Sequence, residues 1–149
     1  MENSTDSYDL NDLPFQLARS YHAFRSYAIQ TLTSEGLSQQ VRPGTGGIFL
    51  TIARAEGCNV KYLAETFNLP KATITGLLKT LESEDLVRRE KDPDDARAFC
   101  LFLTSKGRKL LPSMISRHHR VLETMHEGLE REEVETLKRL LRRVLDNIS

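Results

Sequence analysis

Ala72, Thr75, Gly76, Lys79 and Ser83 share one side of a segment whose other side carries Ile74, Leu77, Leu78 and Leu81. The apolar set follows the i, i+3, i+4, i+7 spacing that turns one helix face toward a core. The small, hydroxylated and basic set then faces outward, with Thr73 and Thr80 at its edges. Such a face suits a nucleic-acid groove. Threonine hydroxyls donate or accept hydrogen bonds, their methyls can rest on a thymine methyl, and an ammonium reaches a guanine edge or a phosphate. Catalytic chemistry has no comparable support, because no Ser, His and Asp arrangement can be argued from spacing. Gly44-Thr45-Gly46-Gly47 lacks both the preceding strand and the following Lys-Ser or Lys-Thr of a nucleotide-binding loop, and a link between helices explains these glycines. The chain is expected to be no enzyme and to carry no cofactor.

The elements around this face define the fold. A helix is expected over about Lys61–Phe67, a turn at Asn68-Leu69, and then the outward-facing helix, opened by Pro70 at its first position and stopping near Asp85. Two strands follow, about Leu86–Lys91 and Ala98–Leu103. In the second, Phe99, Leu101 and Leu103 alternate with Cys100 and Phe102 as in a half-buried strand, and Asp92-Pro93-Asp94-Asp95-Ala96-Arg97 makes the turn between them. Helix, turn, helix and hairpin over residues 57–104 is the layout of a winged helix-turn-helix, which presses its second helix into a DNA groove.

Helices flank this unit. Leu17, Tyr21, Phe24, Ala28 and Leu32 recur at helical spacing over 13–33, and a short helix with Ile48, Leu50, Ile52 and Ala53 precedes Gly57. Residues 105–148 give two more helices. The first, capped by Thr104 or Ser105, is expected to bury Leu110, Leu111, Met114, Ile115, His118, Val121, Leu122 and Met125, with Pro112 as a point of bending. The second carries Val134, Leu137, Leu140, Leu141, Val144, Leu145 and Ile148, an apolar face wider than the roughly 100° stripe one core needs. A second subunit is the expected cover. The fold class is mainly α with a small antiparallel β-hairpin.

The chain of 149 residues has 39% hydrophobic and 28% charged residues and a formal net charge of zero. No apolar run approaches the 18 or more residues of a spanning helix, so no membrane association is expected. Residues 1–12 hold Glu2, Asp6, Asp9 and Asp12 and no base, and are expected to be a flexible tail rather than a signal peptide. With two cysteines, Cys58 and Cys100, the composition fits a reducing cytoplasm. Positive charge is local. Between Leu86 and Leu111 stand Arg88, Arg89, Lys91, Arg97, Lys106, Arg108 and Lys109 against Glu90, Asp92, Asp94 and Asp95. Adjacent His118 and His119 point about 100° apart on a helix, a poor start for joint chelation, so no metal site is expected.

From Leu13 to Ile148 the chain resembles the MarR family of winged-helix transcriptional regulators. The resemblance rests on Leu63-Ala64-Glu65, on Lys71-Ala72-Thr73-Ile74-Thr75-Gly76-Leu77-Leu78-Lys79-Thr80-Leu81-Glu82, on Leu86-Val87-Arg88-Arg89, and on Asp95-Ala96-Arg97 followed by Leu103-Thr104-Ser105-Lys106-Gly107. It implies a homodimer whose first and last helices interlock, with one winged motif per subunit on a palindromic duplex-DNA operator. It also implies regulation of transcription in a prokaryotic cytoplasm; a repressor is the expectation, and the direction of regulation depends on where the operator lies relative to a promoter. Many relatives carry Arg where Gly76 stands and Asp-Arg where Lys79-Thr80 stand, so their base preference does not transfer.

Within that frame Thr73, Thr75 and Thr80 are expected at base edges, Lys79 at a guanine edge or a phosphate, Gly76 where the helix backbone approaches DNA closely, and Lys61 and Lys71 at phosphates. Arg88 and Arg89 add wing charge. Arg97 is expected in the minor groove, oriented by Asp95. The family often binds small aromatic molecules between its dimer helices and winged domains, and by position His22, Tyr27, Phe49, Met114 and His118 are candidates for such a pocket. The rival reading is a winged-helix protein-interaction module without an operator of its own.

Overall fold

The computed structural model describes residues 9–149; Glu2 and Asp6 of the expected tail lie outside them. Asp9 to Asp12 are turned rather than extended. The Asp12 N–H donates to the Asp9 carbonyl at 3.0 Å and the Asn11 N–H to the Asp9 carboxylate at 2.8 Å. This turn runs into α1 (Leu13–Ser34), and α2 (Gly46–Arg54), α3 (Val60–Phe67) and α4 (Lys71–Ser83) follow. An antiparallel hairpin, β1 (Val87–Lys91) and β2 (Phe99–Leu103), precedes α5 (Ser105–His126) and α6 (Arg131–Ile148).

Local chemistry sets the boundaries. The Asn59 side chain accepts the Tyr62 N–H at 2.9 Å and so caps α3, while Asn68 ends it with φ 49. Pro70, expected as the first residue of α4, is its N-cap, with φ −57 and ψ 143, because the residue before a helix adopts an extended ψ. Gly46 and Gly47, read as part of a link, open α2. A Cβ on Gly46 would come within 3.2 Å of Met114 on α5, and one on Gly47 within 3.4 Å of the Phe67 ring. The glycines let α2 lie close to its neighbours. Thr104 caps α5 by accepting the Gly107 N–H at 3.0 Å, and α5 is continuous through Pro112.

The core is a single cluster drawn from every element except α6. It includes Leu32, Phe49, Ile52, Leu63, Ile74, Leu78, Leu81, Leu101, Leu103 and Met114. Burying each such side chain is worth roughly 1.5–3 kcal/mol. Ile74, Leu78 and Leu81 are fully buried and Leu77 is half-buried, as the helical spacing predicts. β2 also pairs on its outer edge, where the Gly57 N–H donates to the Leu101 carbonyl at 2.8 Å and the Leu101 N–H to the Cys58 carbonyl at 2.9 Å.

Away from this cluster the apolar pattern exceeds what the protomer covers. On α5, Leu110, Met114 and Val121 are buried, but Ile115, His118 and Met125 are exposed, which corrects the expected buried face. On α1 only Leu32 is buried, while Tyr21 is 58% and Phe24 44% exposed. α6 has no buried residue, and Leu137, Leu140, Leu141, Leu145 and Ile148 are 42–75% exposed. α1 therefore leaves the broad face of α6 open.

Candidate nucleic-acid interface

The core-facing side of α4 fixes its outer side. Lys71, Ala72, Thr73, Gly76, Lys79 and Ser83 are exposed, whereas Thr75 and Thr80 are half-buried. The Thr75 hydroxyl donates to the Lys71 carbonyl at 2.8 Å, and the Thr80 hydroxyl to the Gly76 carbonyl at 3.4 Å. Their protons stay on the helix, but the oxygens still have lone pairs to accept a donor and the methyls are free to pack. At Gly76 an added Cβ would meet nothing within 4 Å. Nothing inside the protomer requires a glycine there.

The hairpin register pairs Arg88 with Phe102 and Arg89 with Leu101, so the two arginines point to opposite faces. Arg88 lies over the Phe102 ring, 5.1 Å from its centre, and pairs with Glu90. Arg89 faces α4 and grips Glu82 with two prongs, Nε to Oε1 at 2.5 Å and Nη2 to Oε2 at 3.0 Å. Both were expected to add charge toward DNA, but each guanidinium already has an acidic partner. At the tip, the Asp95 carboxylate accepts the backbone N–H of Arg97 at 2.9 Å, and the Ala98 N–H donates to the Asp95 carbonyl at 2.9 Å. Asp95 thus shapes the turn through the main chain. Among the described residues no acid pairs with Arg97, Lys71 or Lys79. Lys61 lies 3.8 Å from Glu65, one turn along α3, and both side chains are largely exposed.

A joint that sequence reasoning missed ties the end of α4 to the start of α5. The Thr104 N–H donates to the Leu86 carbonyl at 3.1 Å, its hydroxyl to the Asp85 carbonyl at 2.5 Å, and Lys106 Nζ to the Glu84 carbonyl at 2.7 Å. Asp85 makes the sharp turn with φ 57. Gly107 is pressed so close to this turn that a Cβ would sit 2.3 Å from the Leu86 carbonyl oxygen. The run Thr104-Ser105-Lys106-Gly107 was the available signal, as a cap followed by a helical glycine. Beside it, Glu56 accepts the Leu103 N–H at 3.1 Å and pairs with Arg108 at 3.0 Å. Partial burial works against its charge, but the Arg108 and Leu103 hydrogen bonds and the Arg108 and Arg88 charges outweigh that and hold the carboxyl below its ordinary pKa.

The five residues considered for a small-molecule pocket are not gathered together. Phe49 and Met114 are fully buried in the core, whereas His22 and His118 are exposed. Tyr27 is half-buried, its hydroxyl donating to Thr124 Oγ1 at 2.9 Å. Open space of about 530 Å³ lies elsewhere, in a groove lined by Glu35, Leu37, Pro112, Ser113, Ser116 and Arg120. Arg120 donates to Glu35 there at 3.1 Å, and nearby Arg117 donates to the Ala28 carbonyl. The His118 and His119 rings are 6.3 Å apart, and among the described residues no three His, Cys, Asp or Glu groups could share a metal ion. Burial pushes the Cys58 thiol pKa up; at Cys100 burial and then Asp92 and Asp94 do the same.

Residues 48–99 match the MarR family. The transcriptional regulator HosA of Escherichia coli O111:H- is 33% identical over 99 residues, which cover 66% of this chain and 73% of HosA. The HTH-type transcriptional regulator TtmR of Methylorubrum extorquens is 39% identical over 74 residues, 50% of this chain and 38% of TtmR. The chain spans about half the length of the curated relatives it matches, from 38% of TtmR to 56% of a Thauera aromatica relative, with HosA the fuller match at 73%. These relatives are named for regulation of transcription, not for catalysis. Among solved structures, the Staphylococcus aureus MepR–DNA complex superposes with a TM-score of 0.81 at 21% identity, covering 95% of this chain and 100% of that one. The helix order, the winged hairpin and these matches agree: the chain belongs to the MarR family.

Proposed function

We propose that the chain is a sequence-specific DNA-binding regulator of transcription, a cytoplasmic homodimer that represses from a pseudo-palindromic operator. The observation that carries this reading is the open set Lys71, Thr73, Gly76 and Lys79 on α4, joined by Arg97 at the hairpin tip and, among the described residues, matched by no acid. Lysines and Arg97 supply attraction to phosphate and to the minor groove, and the threonine-lined helix reads base edges. Thr75 and Thr80 act there as acceptors and through their methyls. Lys61 lies on the supporting helix, where a phosphate contact competes only with an exposed ion pair of little strength.

The dimer is supported by the uncovered apolar face. Leu137, Leu140, Leu141 and Leu145 on α6 and Tyr21 and Phe24 on α1 are large apolar side chains left 42–58% exposed, and a second copy would cover them. A twofold axis through that face would present two copies of α4 to major grooves about one helical turn apart. Relief by a small aromatic ligand is the accompanying reading, and the groove between the end of α1 and α5 offers room for one.

The test is selection of bound sequences from random duplex DNA, followed by affinity for the selected and a scrambled duplex at two salt concentrations. A palindromic consensus and a clear preference for it are expected. Equal retention of both duplexes would instead indicate a protein-interaction module.

A further inference from the structure

Beyond its base at Val87, Leu101 and Leu103, the hairpin has little to hold it. Phe99 is 41% exposed and residues 93–97 are all exposed. Among the described residues no hydrogen bond or ion pair joins the hairpin to α4 beyond Arg89. The Arg89–Glu82 fork is therefore the outermost tie between the two elements. Its geometry is specific, since a guanidinium and a carboxylate meeting through two parallel bonds fix angle as well as distance. The side chains are 26% and 29% exposed, so water screens the pair only in part. Glu82 also lies one turn beyond Lys79, on the same side of α4.

We propose that Glu82 and Arg89 are positioning residues for DNA recognition: their fork sets the angle between α4 and the hairpin, so that Lys79 and Arg97 reach one duplex together. This rests on the DNA-binding reading above. The lever is long. At about 3.3 Å per strand residue, the tip lies roughly 12 Å beyond Arg89, so a tilt of about 10° at the fork moves Arg97 by roughly 2 Å. That displacement takes a hydrogen bond outside its working range. The fork also removes Arg89 from the pool of free bases, which separates this role from that of a phosphate contact.

The experiment is a double-mutant cycle on the full chain with the selected operator, using Glu82→Gln, Arg97→Ala and the two together, with affinities referred to folded protein. Glu82→Gln is expected to weaken binding about fivefold or more, and to weaken it no further once Arg97 is gone. Where Glu82→Gln lowers the folded fraction, the exchange of Glu82→Arg with Arg89→Glu is measured instead, and recovery of wild-type affinity supports positioning. Unchanged or tighter binding by Glu82→Gln would mean that the released Arg89 itself contacts phosphate and would overturn the proposal. So would additive losses. A wild-type protein that prefers no sequence overturns the DNA-binding reading itself, whereas a selective wild type with additive variants overturns only the positioning role.

Discussion

Gly76→Ala separates what the fold needs at that position from what a bound duplex would need. Gly76 lies inside α4, where glycine is about 1 kcal/mol less favourable than alanine. The new methyl would meet no heavy atom within 4 Å, so no packing term opposes the gain. A gain of about 1 kcal/mol in a domain of this size raises Tm by about 2–4 °C. The DNA side has the opposite sign. If the α4 backbone approaches a groove wall at Gly76, the methyl intrudes on a packed contact at about 1–3 kcal/mol, a loss of about fivefold or more in affinity. Thermal unfolding followed by circular dichroism reads the first arm, and fluorescence anisotropy with a labelled operator reads the second. An unchanged or lower Tm would refute the open-space argument; a higher Tm with unaltered affinity would refute close approach of DNA to the helix backbone.

Gly107→Ala, the same substitution in another helix, should act in reverse: its Cβ would sit 2.3 Å from the Leu86 carbonyl oxygen, so backbone must move and Tm should fall by several degrees. A Tm equal to wild type would contradict that packing. Arg97→Ala should weaken operator binding and make the dependence of log K on log salt shallower by about one contact; an identical slope would place Arg97 off the DNA. Glu56, with its carboxyl pKa lowered, contributes stability that is present above the ordinary carboxylate pKa and lost as pH falls through the lower folded value. Urea unfolding of Glu56→Gln should therefore show a flatter acid limb than wild type, and coincident limbs would exclude that role. Cys58 and Cys100, both with raised thiol pKa values, should alkylate at neutral pH more slowly than a free thiol, and rates equal to glutathione would count against it.

What the sequence made legible was whatever depends on period and on local capping. The spacing of Ile74, Leu77, Leu78 and Leu81 located the core face of α4, and alternation placed Leu101 and Leu103 in the core. Contacts between distant segments were not legible. Nothing in Gly46-Gly47 distinguishes a loop from a helix start, and the answer lies in the side chains of Met114 and Phe67 that press on them. Arg88 and Arg89 are chemically identical neighbours, and only the pairing register sends one over Phe102 and the other to Glu82. The five pocket candidates lie apart in the protomer for the related reason that helical position along α1, α2 and α5 does not fix which faces meet. Phe49 and Met114 are core, and the open groove is lined by other residues.

The joint at Thr104, Lys106 and Gly107 constrains how any signal could travel. The loop that ends α4 is bonded to the first turn of α5 through the Glu84, Asp85 and Leu86 carbonyls, and the fit at Gly107 has no slack for sliding. α4 and the beginning of α5 must then move as one body, because packed joints of this kind are not continuously deformable. In the proposed homodimer, joined through α1 and α6, a change in the spacing of the two α4 helices would have to arise farther along α5. There Tyr27 bonds to Thr124, Arg117 to the Ala28 carbonyl and Arg120 to Glu35 at the end of α1, around the buried Val121. The same stretch borders the open groove, so under the proposed relief by a ligand a molecule lodged there would act on α5 beyond the joint that ties it to α4.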